Sequence, residues 1–196
     1  MENIVVLLVG YPGVGKLTIS KELTHYMDNV HILDNHMFNN LIFPMADFGS
    51  NIIDHPMWKY IRRIKRAVYD FVIEEADKKN SFILTGFFID DENDIRSYNN
   101  IVDLAKQRSA TFIPVKLVCD INELMLRVES KVRKDNYKLS DADQLSSLIE
   151  KTKSLIQIEH TNKLELDVTN MRADEAAKHI FDHICDRCVR RAKSID

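Results

Sequence analysis

The sequence predicts an α/β fold with three layers, in which helices cover both faces of a doubly wound, five-stranded parallel sheet. Three observations lead to this prediction. Short apolar segments alternate with longer segments whose apolar residues recur at helical spacing. Residues 3–9 form an almost continuous aliphatic run, which is typical of a strand buried on both faces of a parallel sheet. A glycine-rich loop follows this run and leads into an amphipathic segment.

Strands and helices are predicted in alternation along most of the chain. The predicted strands are residues 3–9, 31–34, 81–88, 111–119 and 163–168. The predicted helices are residues 15–27, 56–78, 95–105, 121–128, 141–158 and 174–192, and apolar residues recur at helical spacing in those at 15–27, 56–78, 95–105 and 174–192. Pro114 cannot donate a backbone hydrogen bond, so it predicts a bend or an edge position for the fourth strand. Residues near 127–141 are charged and lack apolar periodicity, and they predict a mobile lid within a single domain spanning residues 1–196.

The composition of the chain excludes several classes of protein. The 196 residues carry a formal net charge of −3, and 45% of them are hydrophobic, which is typical of a folded globular protein. This charge gives no overall attraction to nucleic acid or to anionic membranes, so nucleic acid is an unlikely partner. Three cysteines do not form a disulfide framework, and no apolar run approaches the ~20 residues that span a bilayer. We therefore expect a cytoplasmic protein without membrane association.

The glycine-rich loop has the pattern of a phosphate-binding loop. Glycines at three positions allow backbone conformations closed to other residues, so that successive N–H groups can point at phosphate oxygens. The lysine supplies a mobile positive charge, and the start of the following helix adds a partial one. The alternative is a glycine-rich turn with an incidental lysine, which is rare after a buried strand. The predicted nucleotide-binding residues of the loop are Gly10, Gly13, Val14, Gly15, Lys16, Leu17 and Thr18.

One position departs from the usual phosphate-loop pattern. A Ser or Thr normally follows the lysine and offers its hydroxyl to magnesium, but this chain has Leu17 there. The loop resembles the form found in adenylate kinases, with Leu17 in place of a glycine. That resemblance implies that Thr18 binds near the α-phosphate. Thr18 and Asp34 are the candidate metal-binding residues of the chain.

From Met1 to about Ile184, the chain resembles P-loop kinases of the shikimate kinase and adenylate kinase type. The resemblance rests on the loop, on Asp34 after the second strand, on Thr85 and Gly86 after the third, on arginines in the lid and on the LDVTN turn at 166–170. It implies a P-loop NTPase fold that uses ATP and Mg²⁺. The site residues that it implies are Asp34 beside the acceptor hydroxyl, Gly86 beside the substrate, Arg127 and Asn170 near adenine, and Arg133 on the transferring phosphoryl group.

Several of these candidates have simpler explanations. Asp34 precedes a helix and is also a favoured N-cap. His36 is a candidate substrate contact, although a lone histidine is more often packed or solvated. Arg62 and Arg63 lie on the basic face of the helix at 56–78; such a face is usually solvated, but the resemblance places this helix beside the acceptor, where an arginine could bind an anionic group.

Three other pairs of residues have spacings found in metal or redox sites. Asp90 and Asp91 fit a metal pair or a helix cap equally well. The pair Cys185 and Cys188 is better explained by core packing, since no second pair accompanies it. His179 and His183 have the spacing of zinc ligands, but no third ligand is indicated.

The leading functional hypothesis is ATP-dependent phosphoryl transfer to a hydroxyl of a small-molecule or nucleotide-like acceptor. In this hypothesis Lys16, Asp34 and Arg133 are the catalytic residues. Two alternatives remain open: a nucleotide-hydrolysing switch that acts with a partner protein, and a kinase acting on nucleic-acid ends. The acceptor and the oligomeric state are left open by the sequence.

Overall fold

A computed structural model describes residues 1–46, 55–129, 141–152 and 154–193. Its sheet consists of five parallel strands, which are β1 (Ile4–Val9), β2 (Val30–Leu33), β3 (Ser81–Gly86), β4 (Thr111–Val118) and β5 (Leu164–Asp167). The strand order is β2-β3-β1-β4-β5, so the aliphatic β1 lies at the centre. The predicted α/β fold with its five-stranded parallel sheet is confirmed.

The helices are α1 (Lys16–Leu23), α2 (Asn35–Asn39), α3 (Met57–Glu74), α4 (Glu92–Gln107), α5 (Ile121–Val128), α6 (Ala142–Thr152) and α7 (Ala173–Lys193). Two 3₁₀ turns follow α1 and α2, at Thr24–Tyr26 and Phe43–Met45. Helix α2 was not predicted from the sequence. Within the described ranges, no helix is both long enough and apolar enough to cross a membrane.

Helices cover both faces of the sheet because side chains of β1 alternate between them. All six residues of β1 are fully buried. Ile4, Val6 and Leu8 face a layer formed mainly by α1 and α7, whereas Val5, Leu7 and Val9 face the layer of α3 and α4. This double burial explains why the strand is aliphatic at every position. It also fixes the carboxyl end of β1, where the glycine-rich loop begins.

The predicted helix at 141–158 is wrong at its C-terminal end. Helix α6 ends at Thr152, and the chain then crosses to the loop after β3. There Leu155 forms an antiparallel bridge with Ile89, and the Ile156 amide donates to the Phe88 carbonyl at 3.0 Å. Leu155 and Ile156 are buried at this position. Their apolar character reflects burial beside Phe88 rather than continuation of a helical stripe.

Of the two alternatives predicted for Pro114, a bend or an edge position, the edge position is wrong, because β4 lies between β1 and β5. The carbonyl groups of Phe112 and Val118 face the β5 side of β4, where they accept from Asn162 at 3.0 Å and from Val168 at 2.9 Å. Since alternate residues of a strand face the same neighbour, Pro114 also faces β5. Strand β5 begins only opposite Val115. The proline is therefore tolerated next to the end of a short strand.

A buried arginine joins α4 to the end of α3. Arg108 is 1% exposed, and its guanidinium donates hydrogen bonds to four main-chain carbonyls. The acceptors belong to Val72, Ala76 at 3.2 Å, Asp77 at 2.9 Å and Asn80 at 3.3 Å. These carbonyls lie in the last turn of α3 and in the turn before β3, where backbone acceptors have no partner inside a helix. Arg108 thus supplies the C-terminal capping that α3 lacks in its own sequence.

Candidate nucleotide-binding site

The loop between β1 and α1 has the backbone geometry that its glycines predict. Gly13 and Gly15 have φ angles of 96° and 101°, in the left-handed region that favours glycine. At Gly10 the constraint is space, because an added Cβ would lie 2.8 Å from the carbonyl oxygen of Leu117. The loop is tied to the sheet by the Gly10 amide, which donates to the carbonyl of Gly86 at 3.3 Å.

Lys16 is the first residue of α1 and lies over the loop. Its Nζ donates to the carbonyl oxygens of Gly10 at 2.6 Å and Tyr11 at 2.9 Å. The first N–H groups of α1 have no acceptor inside the helix, and the helix dipole places partial positive charge at the same point. Of the two residues that follow, Leu17 is half-buried and Thr18 is exposed. Backbone donors and a primary ammonium group therefore converge on one anion-binding position.

A cleft of about 740 Å³ opens above this loop, at the carboxyl ends of the central strands. It lies where the chain order of the sheet reverses around β1, which is the usual ligand position in open α/β sheets. The predicted site residues that line it are Gly13, Val14, Gly15, Lys16, Leu17, Thr18, Asp34, His36, Gly86 and Arg127. Gly10 lies at the foot of the loop, at the end of β1.

Three other predicted residues lie outside this cleft. Arg62 and Arg63 line a separate cavity between α3 and α4. Asn170 lines a shallow cavity after β5, together with Asp167 and His179. Arg133, and residues 130–140 of the predicted lid, lie outside the described residues.

Asp34 is both a helix cap and a residue of the cleft. It is 5% exposed, and one carboxylate oxygen accepts from the His36 amide at 3.3 Å, at the start of α2. The other accepts from the Thr85 hydroxyl at 2.5 Å, and that hydroxyl in turn accepts from the Asn35 amide at 3.0 Å. The capping and catalytic interpretations of Asp34 therefore do not exclude one another. Thr85, at the end of β3, holds the carboxylate at the edge of the cleft.

Lys65, which the sequence did not single out, lies next to the cleft and contacts Asn35, the residue after Asp34. Its Nζ donates to the side-chain oxygen of Asn35 and lies 5.8 Å from the centre of the Phe38 ring. Burial lowers the pKa of Lys65 to about 8, with a smaller contribution from the nearby Arg62, while the carboxylates of Asp94 and Asp34 oppose the shift. The available signal was its position four residues after the buried Ile61, on the apolar face of α3.

This pKa predicts an unusual pH dependence for the acylation of Lys65. At pH 8 about half of its amine is neutral, whereas less than ~1% of an ordinary lysine amine is neutral. Between pH 8 and pH 10 the rate of acylation should therefore rise only ~2-fold at Lys65 but ~10-fold or more at the exposed Lys59 of the same helix. The comparison is made within each lysine, so the lower accessibility of Lys65 does not affect it. Peptide mass spectrometry over time measures both rates at each pH, and equal relative increases would contradict the lowered pKa.

Arg127 joins α5 to the segment after β5. Its Nε pairs with Glu123 at 2.7 Å, and its Nη2 donates to the carbonyl oxygens of Val168 at 3.0 Å and Thr169 at 2.8 Å. The guanidinium thereby forms one edge of the cleft, at the side opposite Asp34. A planar cation held in this way can stack on a base, as the resemblance implied.

In each of the remaining candidate pairs, one residue has a structural explanation. Asp91 is the N-cap of α4 and accepts from the amides of Asn93 and Asp94 at 2.8 and 3.0 Å. Cys188 packs against the core cluster of α1 and α7. The His183 ring pairs with the carbonyl of Asn162 at 2.9 Å. Over the described part of the chain, no group of three or more His, Cys, Asp or Glu side chains could hold a metal ion.

The fold is that of the P-loop kinases. It is defined by a sheet of this strand order, with a glycine-rich loop after the central strand and a lysine at the start of the next helix. A gluconokinase from Sinorhizobium meliloti has a TM-score of 0.63 at 12% identity, covering 98% of this chain and 97% of its own. A thymidylate kinase from Candida albicans has a TM-score of 0.60 at 14% identity, covering 95% of this chain and 92% of its own. An APS kinase from Mycobacterium tuberculosis has a TM-score of 0.57 at 12% identity, covering 93% of this chain and 98% of its own.

The chain belongs to the KTI12 family. The family model described as chromatin associated protein KTI12 matches residues 4–188. No curated protein sequence matches the chain. At identities of 12–14%, the solved structures establish a shared fold.

Proposed function

We propose that this protein is an ATP-dependent phosphotransferase that acts on a hydroxyl group of a small-molecule acceptor. The observation that carries the proposal is that Lys16 and Asp34 line one cleft, although Lys16 follows β1 and Asp34 follows β2. A phosphate-binding lysine and a buried carboxylate in one cavity are the two groups that phosphoryl transfer to a hydroxyl requires. The names of the three structural neighbours specify different acceptors, so their shared fold supports the reaction type and leaves the acceptor open.

On the nucleotide side, charge neutralisation is the main contribution of the protein. Lys16 and the N–H groups of residues 13–18 would bind the β- and γ-phosphates of ATP. Lys16 would exchange its hydrogen bonds to Gly10 and Tyr11 for phosphate oxygens. Arg127 would contact the base, with Asn170 near it beyond the end of β5. Arg133 remains a proposed contact of the transferring phosphoryl group.

On the acceptor side, the hydroxyl oxygen would attack the γ-phosphorus in line with the leaving group. A new O–P bond forms, the bond from the γ-phosphorus to the β,γ-bridging oxygen breaks, and ADP leaves with that electron pair. Asp34 would orient the hydroxyl and accept its proton. The Thr85 hydroxyl, which donates to Asp34, fixes the direction of the carboxylate. His36 and Gly86 line the same part of the cleft and are proposed to contact the acceptor.

A magnesium ion in this cleft would be held mainly by phosphate oxygens and water. Its two candidate protein ligands are the hydroxyl of Thr18 and the carboxylate of Asp34, both hard oxygen donors that line the cleft. Leu17 supplies none. When bound, the ion would neutralise charge that develops on the phosphates.

Replacing Lys16 with Ala tests the proposed nucleotide site. Because the side chain makes charge-assisted hydrogen bonds to phosphate, we expect its loss to weaken binding of a non-hydrolysable ATP analogue by ~10-fold or more. Isothermal titration calorimetry measures the affinity. Lys79→Ala, which removes an exposed lysine outside the cleft, is the matched control. Equal affinities of the Lys16 variant and the wild type would refute the phosphate-loop assignment.

The family description favours one competing function. A chromatin-associated protein with this fold could hydrolyse ATP in response to a partner protein and transfer phosphate to water. The two functions differ in their product: a kinase forms a phosphorylated acceptor in proportion to ADP, whereas a switch releases an equal amount of inorganic phosphate. Following [γ-³²P]ATP in the presence of candidate acceptors distinguishes them.

A further inference from the structure

Helix α2, which begins directly after Asp34, has little stability of its own. It contains five residues, Asn35–Asn39, and a helix of this length does not persist in water without tertiary contacts. Phe38 is buried, whereas Met37 is 56% exposed. Among the described residues, the packing contacts of α2 come mainly from α3 and β3. The position of the helix, and of the carboxylate at its start, therefore depends on what holds Asn35 and Phe38.

Lys65 of α3 contacts both turns of α2. Its Nζ donates a hydrogen bond to the side-chain oxygen of Asn35 and lies 5.8 Å from the centre of the Phe38 ring, within the range of a cation–π contact. One turn further along α3, the Tyr69 ring meets Phe38 edge-on, with 6.4 Å between the ring centres. Lys65 and Tyr69 thus attach α2 to α3, and Lys65 does so at the residue that follows Asp34.

Hydrogen bonds lead from Asn35 to the carboxylate of Asp34. The Asn35 amide donates to the Thr85 hydroxyl at 3.0 Å, and this hydroxyl donates to one carboxylate oxygen at 2.5 Å. The other carboxylate oxygen accepts from the His36 amide at 3.3 Å. A rotation of the first turn of α2 would change both contacts of the carboxylate at once. The orientation of Asp34 therefore depends on the position of Asn35.

The ammonium group of Lys65 lies near charges from three elements. Burial lowers its pKa, the carboxylates of Asp94 in α4 and Asp34 before α2 favour its charged form, and Arg62 on α3 disfavours it. Asp94 is held in place, because its carboxylate accepts from the Ile89 amide at 2.9 Å. Lys65 therefore attracts the Asp34 carboxylate towards α3, in addition to holding the residue that follows it.

Stability alone does not explain a lysine at this position. Lys65 is half-buried, four residues after the buried Ile61 on the apolar face of α3. Removing a charge from water costs free energy, and replacing a buried charge by an apolar side chain of similar volume is often neutral or stabilising. Methionine would cover the same apolar surface without this cost. What a methionine could not supply is the hydrogen bond to Asn35.

We propose that Lys65 is a positioning residue of the phosphoryl-transfer site, which fixes the first turn of α2 through Asn35 and thereby orients the Asp34 carboxylate. Asn35 and Asp34 line the nucleotide cleft, whereas Lys65 does not. Lys65 acts through Asn35 and contacts neither the nucleotide nor the acceptor. This role rests on the proposed function, and it identifies the side chain that holds the acceptor-orienting group of that site.

Amide hydrogen exchange, measured by NMR spectroscopy on the full chain, tests the positioning without any turnover. The amides of His36 and Met37 are bonded to Asp34, to a carboxylate oxygen at 3.3 Å and to the carbonyl oxygen at 3.0 Å. If Lys65 fixes this turn, Lys65→Met should increase the exchange rate of both amides by ~5-fold or more, because the turn opens more often. Lys59→Met, which removes an exposed lysine of the same helix, should leave both rates unchanged.

A second variant and an internal control complete this measurement. Asn35→Ala removes the acceptor of the same hydrogen bond and should increase the two exchange rates to a similar extent. The amides of Asn122 and Glu123, which are bonded to Asp120 at the start of α5, should exchange at the wild-type rate in every variant. Urea unfolding monitored by circular dichroism confirms that each variant is folded.

Turnover tests the consequence for the reaction. ADP release is measured with ATP and Mg²⁺ alone, where water is the acceptor, and with any acceptor identified with [γ-³²P]ATP. Because misplacement of a reacting group by ~1 Å can cost ~10²-fold in rate, we expect Lys65→Met to lower kcat by ~10-fold or more. The affinity for a non-hydrolysable ATP analogue should stay within ~2-fold of the wild type. Because Lys65 acts through Asn35, the variant carrying both Lys65→Met and Asn35→Ala should be no slower than the slower single variant.

Any of four results would overturn the positioning role. The first is unchanged exchange of His36 and Met37 in both Lys65→Met and Asn35→Ala, and the second is an unchanged kcat in Lys65→Met. The third is a pair of rate losses that multiply in the double variant, which would place the effect of Lys65 elsewhere. The fourth is a loss of affinity for the ATP analogue on the scale of Lys16→Ala, which would make Lys65 a nucleotide contact.

Failure of the proposed function gives a different result. In that case the exchange rates change as expected, but the wild type forms neither ADP nor a phosphorylated product from ATP. The phosphotransferase would then be overturned, and with it the catalytic role of Lys65, although Lys65 would still hold α2 in place.

Discussion

Replacing Asp34 with Asn should lower the rate of phosphoryl transfer by ~10²-fold or more, which is the scale of a lost general base. The carboxylate is 5% exposed and is held by the Thr85 hydroxyl at 2.5 Å, so it is fixed in one orientation at the edge of the cleft. Asn keeps an oxygen that can accept from the His36 amide, and it caps helices about as well as Asp. Its NH2 group cannot accept from the Thr85 hydroxyl. The variant should therefore lose activity together with only ~1 kcal/mol of stability.

Asp91→Asn is the matched control for this experiment. Asp91 is also a helix N-cap, and one of its carboxylate oxygens accepts from two backbone amides, but it does not line the cleft. Activity with an identified acceptor is measured by ADP release, and stability by urea unfolding monitored with circular dichroism. Full activity in the Asp34 variant would remove Asp34 from the mechanism and direct attention to His36 instead.

Replacing Arg108 with Met should have the largest effect on stability. The guanidinium is buried and satisfies four carbonyls of the α3 C-terminus and the following turn, and it lies over the Phe82 ring, 5.0 Å from its centre. Met fills a similar volume but donates no hydrogen bond. Since each unsatisfied buried polar group costs ~1–3 kcal/mol, we expect the free energy of unfolding to fall by ~3 kcal/mol or more.

Arg96→Met, at an exposed position of α4, is the control and should change stability by less than ~0.5 kcal/mol. Arg108→Lys keeps one donor nitrogen in place of the guanidinium and should fall between the Met variant and the wild type. Chemical unfolding of the three variants measures the differences. Equal stabilities of Arg108→Met and Arg96→Met would show that the carbonyls find other partners. Because Arg108 lies outside the cleft, nucleotide affinity of the folded variants should remain unchanged.

Much of the fold was predictable because its signals are local. Residues 3–9 are apolar at every position since β1 is covered on both faces, and that pattern is visible without any structure. The errors arose where burial depends on distant partners. Leu155 and Ile156 continue the apolar character of α6 but are buried beside Phe88, a contact that no local pattern reports. Pro114 lies in an interior strand because β5 is short, which is a property of its neighbour.

The sequence by itself determined the phosphate loop, because its function depends on contiguous residues: the glycines supply backbone conformation and Lys16 supplies charge. Only the tertiary structure joined Asp34 to Thr85, 51 residues apart, and placed Lys65 against Asn35, 30 residues away. It also placed Arg62 outside the nucleotide cleft, in a cavity between α3 and α4. The physical reason is that a cleft of this kind is assembled from the ends of different strands and helices, whose relative positions are set by sheet order and by packing.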